Sequence, residues 1–495
     1  MSETTGAKPA NRYYASEETL VDYAMVKAHL AVSVIFLLVA ILAGFLYSLQ
    51  FTNSYPFKGI SWLSPGRVRM LHTNAIAYAW LVMAFFGLLH YMLPKLTGQR
   101  VLSPVISRFV LWAWVAIVAG TVVGILGGTA QALEWGETPA WLDPIIVVVY
   151  LIMAANFIAP VIKSRQKHLY VSTWYIVAAL VWTGLNYVMG NFMVEYVAPG
   201  TGGAALTSMF IHNLVGLFVT PIGIASMYYL LPLVLNKPIY SHSLSLIGFW
   251  GLAFFYPLNS THHYIFSPIP MWAQYAGIVA SVGVHVVVYT VVYNFWMTMR
   301  GENAQLGRNI PYGWIMAGTF FYLVTCIQCA FHVTLTFQEI IHFTDWVVAH
   351  AHMVLFGTFT FWSIAWVYYL IPKVWHRRLY SRTLAQWHFW LSFLGLLLMF
   401  VSLTAAGLVQ GYMWKSMAPF IDSVRASVPF WLTRTLTGTA IVIAQLLFLY
   451  NLYRTFKGPE VLTDEVHIPL DCSEPANWQP VITGPAAAAR PVPAV

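Results

Sequence analysis

The stretch 345–371, DWVVAHAHMVLFGTFTFWSIAWVYYLI, decides the fold class, because its 27 residues carry one carboxylate and are otherwise mostly apolar. A helix needs about 20 such residues to cross the hydrocarbon core of a bilayer. Two histidines, His350 and His352, lie near the start of the stretch. Ionisable side chains are expensive inside a membrane and usually serve a function there. The stretch therefore predicts a membrane-spanning helix with a functional site near one end.

The same pattern recurs along the chain of 495 residues, of which 59% are hydrophobic and 8% charged. Lipid offers backbone groups no hydrogen-bond partner, so every apolar run of spanning length must be a helix. We predict an all-α integral membrane bundle with a segment 1–25, a helical domain 26–457 and a Pro- and Ala-rich tail 458–495 that we expect to be disordered. Its twelve predicted spans are 26–51, 70–94, 105–130, 143–163, 170–195, 205–235, 241–260, 272–298, 313–337, 345–371, 385–411 and 428–455.

The basic residues indicate how the bundle lies in the membrane. They concentrate in the connections after even-numbered spans, as at Lys95, Arg377 and Arg378, whereas the opposite connections hold carboxylates. The positive-inside rule therefore predicts that both termini lie in the cytoplasm. The formal net charge of +8 reflects this topology and does not indicate nucleic-acid binding. Three cysteines exclude a disulfide scaffold, and no cleaved signal peptide is predicted at the polar start.

Six of the sixteen histidines lie where spans begin or end on the predicted outer side: His72, His212, His262, His263, His350 and His352. They come from the second, sixth, seventh and tenth spans, and scattered structural histidines would have no reason to share a depth. Any one of them alone could equally be a hydrogen-bonding residue between helices. For nine other histidines, among them His29, His90 and His332, we predict no metal binding. The six together predict a metal centre.

The spacing of the histidines restricts how they could bind metals. His350 and His352 point about 200° apart on a helix, so they suit two metals on opposite faces better than one. The adjacent His262 and His263, at a helix end, can converge on one small ion, and His212 would complete a three-nitrogen site. Imidazole suits copper, iron and zinc, and the spacing alone does not choose among them.

Five segments carry a resemblance to a known family: RVRMLHTNA (67–75), HLYVSTWYIVAALVW (168–182), MFIHNLVGLF (209–218), FWGLAFFYPLNSTHHYIF (249–266) and HFTDWVVAHAHM (342–353). In order and spacing they resemble subunit I of the haem–copper oxidase superfamily, and specifically its C family, the cbb3-type cytochrome c oxidases. The resemblance covers about residues 60–455. It implies the superfamily's twelve-helix bundle, two haems and one copper ion.

The resemblance also implies roles for the histidines. His72 and His352 would be the axial ligands of a low-spin haem b, and His350 the proximal ligand of a high-spin haem of b type. The copper opposite that haem would be held by His212, His262 and His263.

A tyrosine separates the C family from its relatives. Mitochondrial-type oxidases carry it four residues after the first copper histidine, where this chain has Gly216. The C family supplies it six residues before the histidine pair, at Tyr256, which the resemblance implies is cross-linked to His212 and catalytic. Taken alone, Tyr256 could equally be a packing residue.

Further positions match the family's pattern. Arg69, Arg434 and His342 would bind haem propionates. Glu134 and Glu137 resemble a carboxylate pair that holds calcium, and their three-residue spacing predicts one helical face, although a solvated loop pair explains them equally well. Thr220, Ser245 and Tyr256 would line a proton path from the cytoplasm.

One position departs from the family's pattern. Gln328 stands where the family usually has a glutamate, and an amide cannot give up a proton at physiological pH, which leaves proton delivery and pumping efficiency open. Cys326 and Cys329 nearby form CxxC without a following histidine, so we interpret them as buried structural thiols rather than a c-type haem site.

The resemblance implies a terminal oxidase of the bacterial inner membrane that reduces O2 to water, with proton uptake and pumping. Because the chain has no CxxCH motif, cytochrome c would deliver electrons through membrane-anchored c-type cytochrome subunits. The first alternative is nitric oxide reductase of the same superfamily, whose common forms have glutamates near the first metal histidine and lack the tyrosine. A transporter, the second alternative, predicts broken helices and inverted repeats and leaves the histidines unexplained.

Overall fold

A computed structural model describes residues 20–164, 166, 168–198 and 200–459, and the backbone of two short strands beyond them. The described residues form twelve long helical segments: α1 Tyr23–Thr52, α2 Pro65–Thr97, α3 Pro104–Gly127, α4 Ala140–Lys163, α5 Val171–Tyr196, α6 Thr201–Leu235, α7 His242–Asn259, α8 Met271–Met299, α9 Ile310–His332, α10 Asp345–Val374, α11 Arg382–Lys415 and α12 Phe420–Phe456. All twelve predicted spans are therefore helical. Within the described chain, eleven of the twelve are long and apolar enough to cross a membrane, and the 18-residue α7 is not among them.

The helix ends carry the expected capping chemistry. Ser103, Ser241 and Ser381 stand just before α3, α7 and α11, and each side-chain oxygen accepts a hydrogen bond from a backbone N–H of the first turn. Proline opens α2 and α3, where its missing N–H costs nothing.

The predicted ninth span was too long at its end. It was expected to reach residue 337, but α9 ends at His332, and a separate short helix, Leu335–Ile341, leads into α10. Thr334 between them has extended backbone. The apolar run continues across this break, so hydropathy alone does not reveal it.

Three helices form the interior of the bundle. In the most apolar stretch of α2, α6 and α10, 94%, 94% and 89% of the residues are buried, against 33–50% in the other eight of the eleven. Those eight helices therefore surround the inner three, and each exposes one side on the outer surface of the bundle. The inner helices are the ones that carry His72, His212 and the His350–His352 pair.

Each inner helix changes its winding directly after its histidines. A π-helical stretch runs over Ala75–Leu81 in α2, Val215–Val219 in α6 and Met353–Thr360 in α10. Such stretches are rare and frequently occur at functional sites. Here each one rotates the following part of the helix relative to the histidine-bearing part.

The tail contains an unpredicted element. Glu465–His467 pairs antiparallel with Val481–Thr483. The other tail residues after 459, and residues 1–19 of the predicted N-terminal segment, lie outside the described part of the chain, so the division of the chain into these segments stays a prediction.

Candidate metal centre

α2 and α10 bring His72 and His352 together. Their ring centroids are 6.0 Å apart and their planes are inclined by 25°. The Nδ1 of His72 lies 2.7 Å from the Ala40 carbonyl oxygen, and that of His352 lies 2.8 Å from the Val348 carbonyl oxygen. A carbonyl only accepts, so Nδ1 carries the proton in both rings and each Nε2 keeps its lone pair for a metal.

This pair fits an iron atom between two imidazoles. Metal–imidazole bonds of about 2 Å on each side place two ring centroids about 6 Å apart. The ring of His72 also packs tightly against α1, because a Cβ at Gly44 would come within 2.6 Å of its Cε1 and Nδ1. Glycine at position 44 thus leaves room for the ring.

A second group joins α6 to the end of α7. The nitrogen donors of His212, His262 and His263 all lie within 4.8 Å of one another. The Nδ1 of His212 lies 3.0 Å from Nε2 of His263, and the Nδ1 of His262 lies 2.8 Å from the Ser281 hydroxyl, which orients that ring. Three neutral imidazoles at this separation match the nitrogen-rich site that copper favours.

His350 lies beside this group and is held by the last turn of α9. Its Nδ1 lies 2.9 Å from Oε1 of Gln328, and its Nε2 lies 3.5 Å from Sγ of Cys329. The ring of His332 meets it edge to face at 5.1 Å. Sequence reasoning assigned His332 no part in the site. Its four-residue spacing from Gln328, which puts both on one helical face, was the available signal.

Tyr256 of α7 stacks on His212, with ring centroids 5.0 Å apart and planes inclined by 19°. A Cβ at Gly216 would lie 1.6 Å from Cε1 of this tyrosine. Gly216 falls within the π-helical stretch of α6. The glycine and the tyrosine are therefore complementary, and only glycine at position 216 admits the ring.

Arg434 supplies buried positive charge near the histidine pair. Its side chain is 6% exposed, and its guanidinium lies 4.0 Å above the ring of Phe51. Its Nε and Nη2 have no hydrogen-bond partner among the described residues. Buried guanidinium donors of this kind fit the carboxylates of a haem.

The other two predicted propionate-binding residues differ in exposure. Arg69 is exposed and is close enough to His72 and Glu137 to interact with them electrostatically. His342 is on the loop before α10, where its Nδ1 lies 2.8 Å from Oε1 of Gln338. Burial lowers the pKa of His342.

The predicted carboxylate pair is not on one helical face, and that expectation was wrong. Glu134 and Glu137 lie in the irregular loop between α3 and α4, which contains a turn and bends. Glu134 is exposed, whereas Glu137 is 4% exposed and its Oε2 accepts a hydrogen bond from Nδ2 of Asn74 at 2.9 Å. Burial raises the pKa of Glu137. The calcium role stays a prediction.

The predicted proton-path residues are partly connected. Thr220 is close enough to Tyr256 for their side chains to interact. Ser245 is fully buried on α7, and its hydroxyl donates to the His242 carbonyl oxygen at 2.6 Å. It lies eleven residues before Tyr256, which is about 16 Å along one face of a helix.

Buried polar groups that the sequence did not single out lie near this path. The hydroxyl of Tyr175 has no partner among the described residues and would lie 3.1 Å from a Cβ on Gly248. Its ring stacks on that of Tyr228 at 6.1 Å, and Nδ2 of Asn294 lies 3.5 Å from the Tyr228 hydroxyl.

Comparison with known proteins agrees with this arrangement. Residues 24–440 match the family model described as "Cytochrome C and Quinol oxidase polypeptide I". The chain is 27% identical over 455 residues to the "Cbb3-type cytochrome c oxidase subunit CcoN1" of Stutzerimonas stutzeri, covering 89% of this chain and 96% of that protein. It is 29% identical over 452 residues to the "Cytochrome c oxidase subunit 1 homolog, bacteroid" of Bradyrhizobium diazoefficiens, covering 87% and 81%.

More distant similarities extend this result. A nitric oxide reductase polypeptide of Stutzerimonas stutzeri is 22% identical over 429 residues, covering 80% of this chain and 87% of that protein. Among solved structures, a heme-copper terminal oxidase dimer superposes with a TM-score of 0.72 at 13% identity, covering 89% of this chain and 85% of that one. The latter shows the fold alone. The chain belongs to the family of haem–copper oxidase subunit I proteins. Within that superfamily it belongs to the C family, the cbb3-type oxidases.

Proposed function

We propose that this chain is the catalytic subunit of a terminal respiratory oxidase that reduces O2 to water with electrons from cytochrome c. The two haems and the copper supply the electron transfer and oxygen chemistry when bound. His72 and His352 would hold the low-spin haem and His350 the high-spin haem. His212, His262 and His263 would hold the copper.

The observation that carries the proposal is the stacking of Tyr256 on His212 at 5.0 Å, in the space left by Gly216. A phenol can give up both a proton and an electron, and cleavage of the O–O bond requires both. The ring of Tyr256 lies against a proposed copper ligand, which is where this proton and this electron would be needed. Glycine also leaves room for the ring of Phe210, a packing residue, at Gly190, so it is the stacking on His212 that distinguishes Tyr256 from a packing tyrosine.

Proton supply to Tyr256 would come from the opposite end of the bundle. Ser245, Tyr228, Tyr175 and Thr220 offer hydroxyl groups inside an otherwise apolar interior. Hydroxyls both donate and accept, so with intervening water they can pass protons along a chain. This proposed path would serve both proton uptake and pumping. Gln328 cannot contribute an ionisable group to it.

Electrons would reach the His72–His352 pair from membrane-anchored c-type cytochrome subunits on the outer side of a bacterial inner membrane. On that side, Arg69 at the start of α2 and Glu137 in the loop after α3 lie near the pair. Both termini would lie in the cytoplasm, as the basic residues of the connections predict.

Nitric oxide reduction is the alternative function. Purification of the complex with its partner subunits tests the two directly. We expect one copper for every two haem irons in this chain, a high-spin haem that binds carbon monoxide, and rapid O2 uptake. Iron in place of copper, with faster consumption of nitric oxide than of O2, would contradict the oxidase proposal.

Substitution of Tyr256 tests the central observation. Tyr256→Phe keeps the ring and removes the hydroxyl, so we expect normal haem and copper content with O2 reduction reduced by at least about 100-fold. Tyr275→Phe is a matched control, because Tyr275 of α8 is 51% exposed on the bundle's surface. Equal activity of the two variants would remove Tyr256 from the reaction.

A further inference from the structure

Gln328 makes a direct contact with the proposed proximal ligand. Its Oε1 lies 2.9 Å from Nδ1 of His350, and its side chain is 7% exposed. The amide comes from the last turn of α9 and the imidazole from the second turn of α10. This bond therefore ties the proposed ligand to a neighbouring helix, whereas Nδ1 of His352 is bonded to its own helix, at the Val348 carbonyl oxygen.

The direction of this bond determines which nitrogen of His350 is free. Because Oε1 can only accept, Nδ1 carries the proton and Nε2 keeps its lone pair. Nε2 of Gln328 is buried without a partner among the described residues. An inverted amide would present N–H groups to Nδ1 and force the imidazole proton onto Nε2, where it would block a metal. The amide and the ring are thus coupled.

We propose that Gln328 is a positioning residue that holds His350 as a neutral imidazole for the high-spin iron, an inference that rests on the proposed function. A carboxylate at this place would pull on the Nδ1 proton more strongly and make the ring a more basic ligand. The neutral amide gives the same orientation with a weaker pull. Hydrogen bonding to an axial ligand is one of the main means by which a protein sets a haem potential, so the amide keeps this potential high.

The test uses the purified complex and two variants. Gln328→Glu supplies a charged acceptor of the same reach, and Gln328→Met keeps the length but removes the acceptor. The readouts are the iron–histidine stretching frequency of the reduced high-spin haem by resonance Raman spectroscopy and its midpoint potential by spectroelectrochemical titration. Relative to the parent, we expect Gln328→Glu to raise the frequency and lower the potential, and Gln328→Met to lower the frequency and raise the potential.

Gln445→Met is the matched control, since Gln445 is also a buried glutamine of a long helix but contacts Ser392 and no proposed ligand. It should leave both readouts at their parental values. Loss of the high-spin haem from Gln328→Met alone would also support the proposal, because Gln328→Glu retains an acceptor.

Parental frequency and potential in both variants, or loss of the haem from both, would overturn it. A parent complex without any high-spin haem would instead refute the proposed function.

Discussion

Helix α2 takes part in two histidine pairs, one near each end. His72 faces His352 of α10, and His90 faces His29 of α1. In all four rings Nδ1 is bonded to a backbone carbonyl oxygen, at 2.7 to 2.9 Å. The two pairs therefore share their tautomer and their way of being anchored.

The pairs differ in spacing and surroundings. The rings of His29 and His90 stack at 4.8 Å, and Phe157 meets His90 edge-on at 4.8 Å. Their Nε2 atoms are buried against other groups without a hydrogen-bond partner among the described residues. The rings of His72 and His352 are 6.0 Å apart, which is the separation that a metal ion between them requires. Burial and anchoring are thus common to both pairs, and the spacing between rings distinguishes the proposed ligands from the packing histidines.

The largest expected effect tests this distinction directly. His72→Leu should abolish the low-spin haem signals, halve the haem content and reduce electron transfer by more than about 100-fold. His90→Leu should retain both haems, because it removes only one hydrogen bond, worth about 1 kcal/mol. Optical and electron paramagnetic resonance spectra of the two purified variants provide the comparison. Loss of the haem from His90→Leu as well would erase the difference between the pairs.

A second prediction uses the glycine beside each pair. A Cβ at Gly44 would come within 2.6 Å of the His72 ring, whereas one at Gly87 would lie 3.1 Å from Leu30 and 3.3 Å from Cβ of His29. Gly44→Ala must therefore displace the ring, and we expect a perturbed low-spin signal and a loss of about 1–3 kcal/mol from overpacking. Gly87→Ala should cost less and leave the spectrum unchanged.

Spectra of the two alanine variants, with their thermal unfolding in detergent, measure this difference. An unperturbed low-spin signal in Gly44→Ala would show that the ring is not tightly held.

These comparisons also indicate how far the sequence determines the fold. Hydropathy located the eleven helices that are long and apolar enough to cross a membrane, because spanning length and apolar composition are local properties. It did not separate the buried helix α10 from the surface helices, since a helix surrounded by other helices is as apolar as one surrounded by lipid. The break after His332 was missed because the apolar run continues across it.

From the sequence we predicted which histidines belong to the candidate site, but not the local helix geometry around them. Shared depth and the His350–His352 spacing predicted a metal centre. The structure brings His72 to His352 and His212 to His262 and His263, and the metal-binding roles of the six histidines stay a prediction. The π-helical stretches after His72, His212 and His352 were not predicted, because the apolar pattern of these helices continues through them. The partnership between Gln328 and His350 joins two helices, and the sequence alone showed only an unusual residue at position 328.

A smaller effect is expected from Arg434, which lies near the His72–His352 pair. The buried guanidinium of Arg434 interacts electrostatically with His352, so its positive charge should favour the reduced low-spin haem. Arg434→Met should lower that haem's midpoint potential by on the order of 50 mV. Arg425→Met on the same helix is the control, because Arg425 is exposed and paired with Asp422. Redox titration would contradict the prediction if both variants kept the parental potential.

The smallest expected effect concerns Glu137, in the loop between α3 and α4. Its buried carboxyl accepts a hydrogen bond from Asn74 of α2. Burial raises the pKa of Glu137 above its ordinary value of 4.5, so the folded state holds this proton more tightly than the unfolded state. The stability that the proton contributes is therefore complete below the ordinary pKa and is lost as the pH rises through the raised one. Glu137→Gln removes the titration, so its unfolding temperature should fall less than the parent's between about pH 4 and about pH 8. Glu134→Gln, at an exposed carboxyl three residues earlier, should retain the parental slope, and three parallel curves would show that Glu137 is solvated in the folded protein.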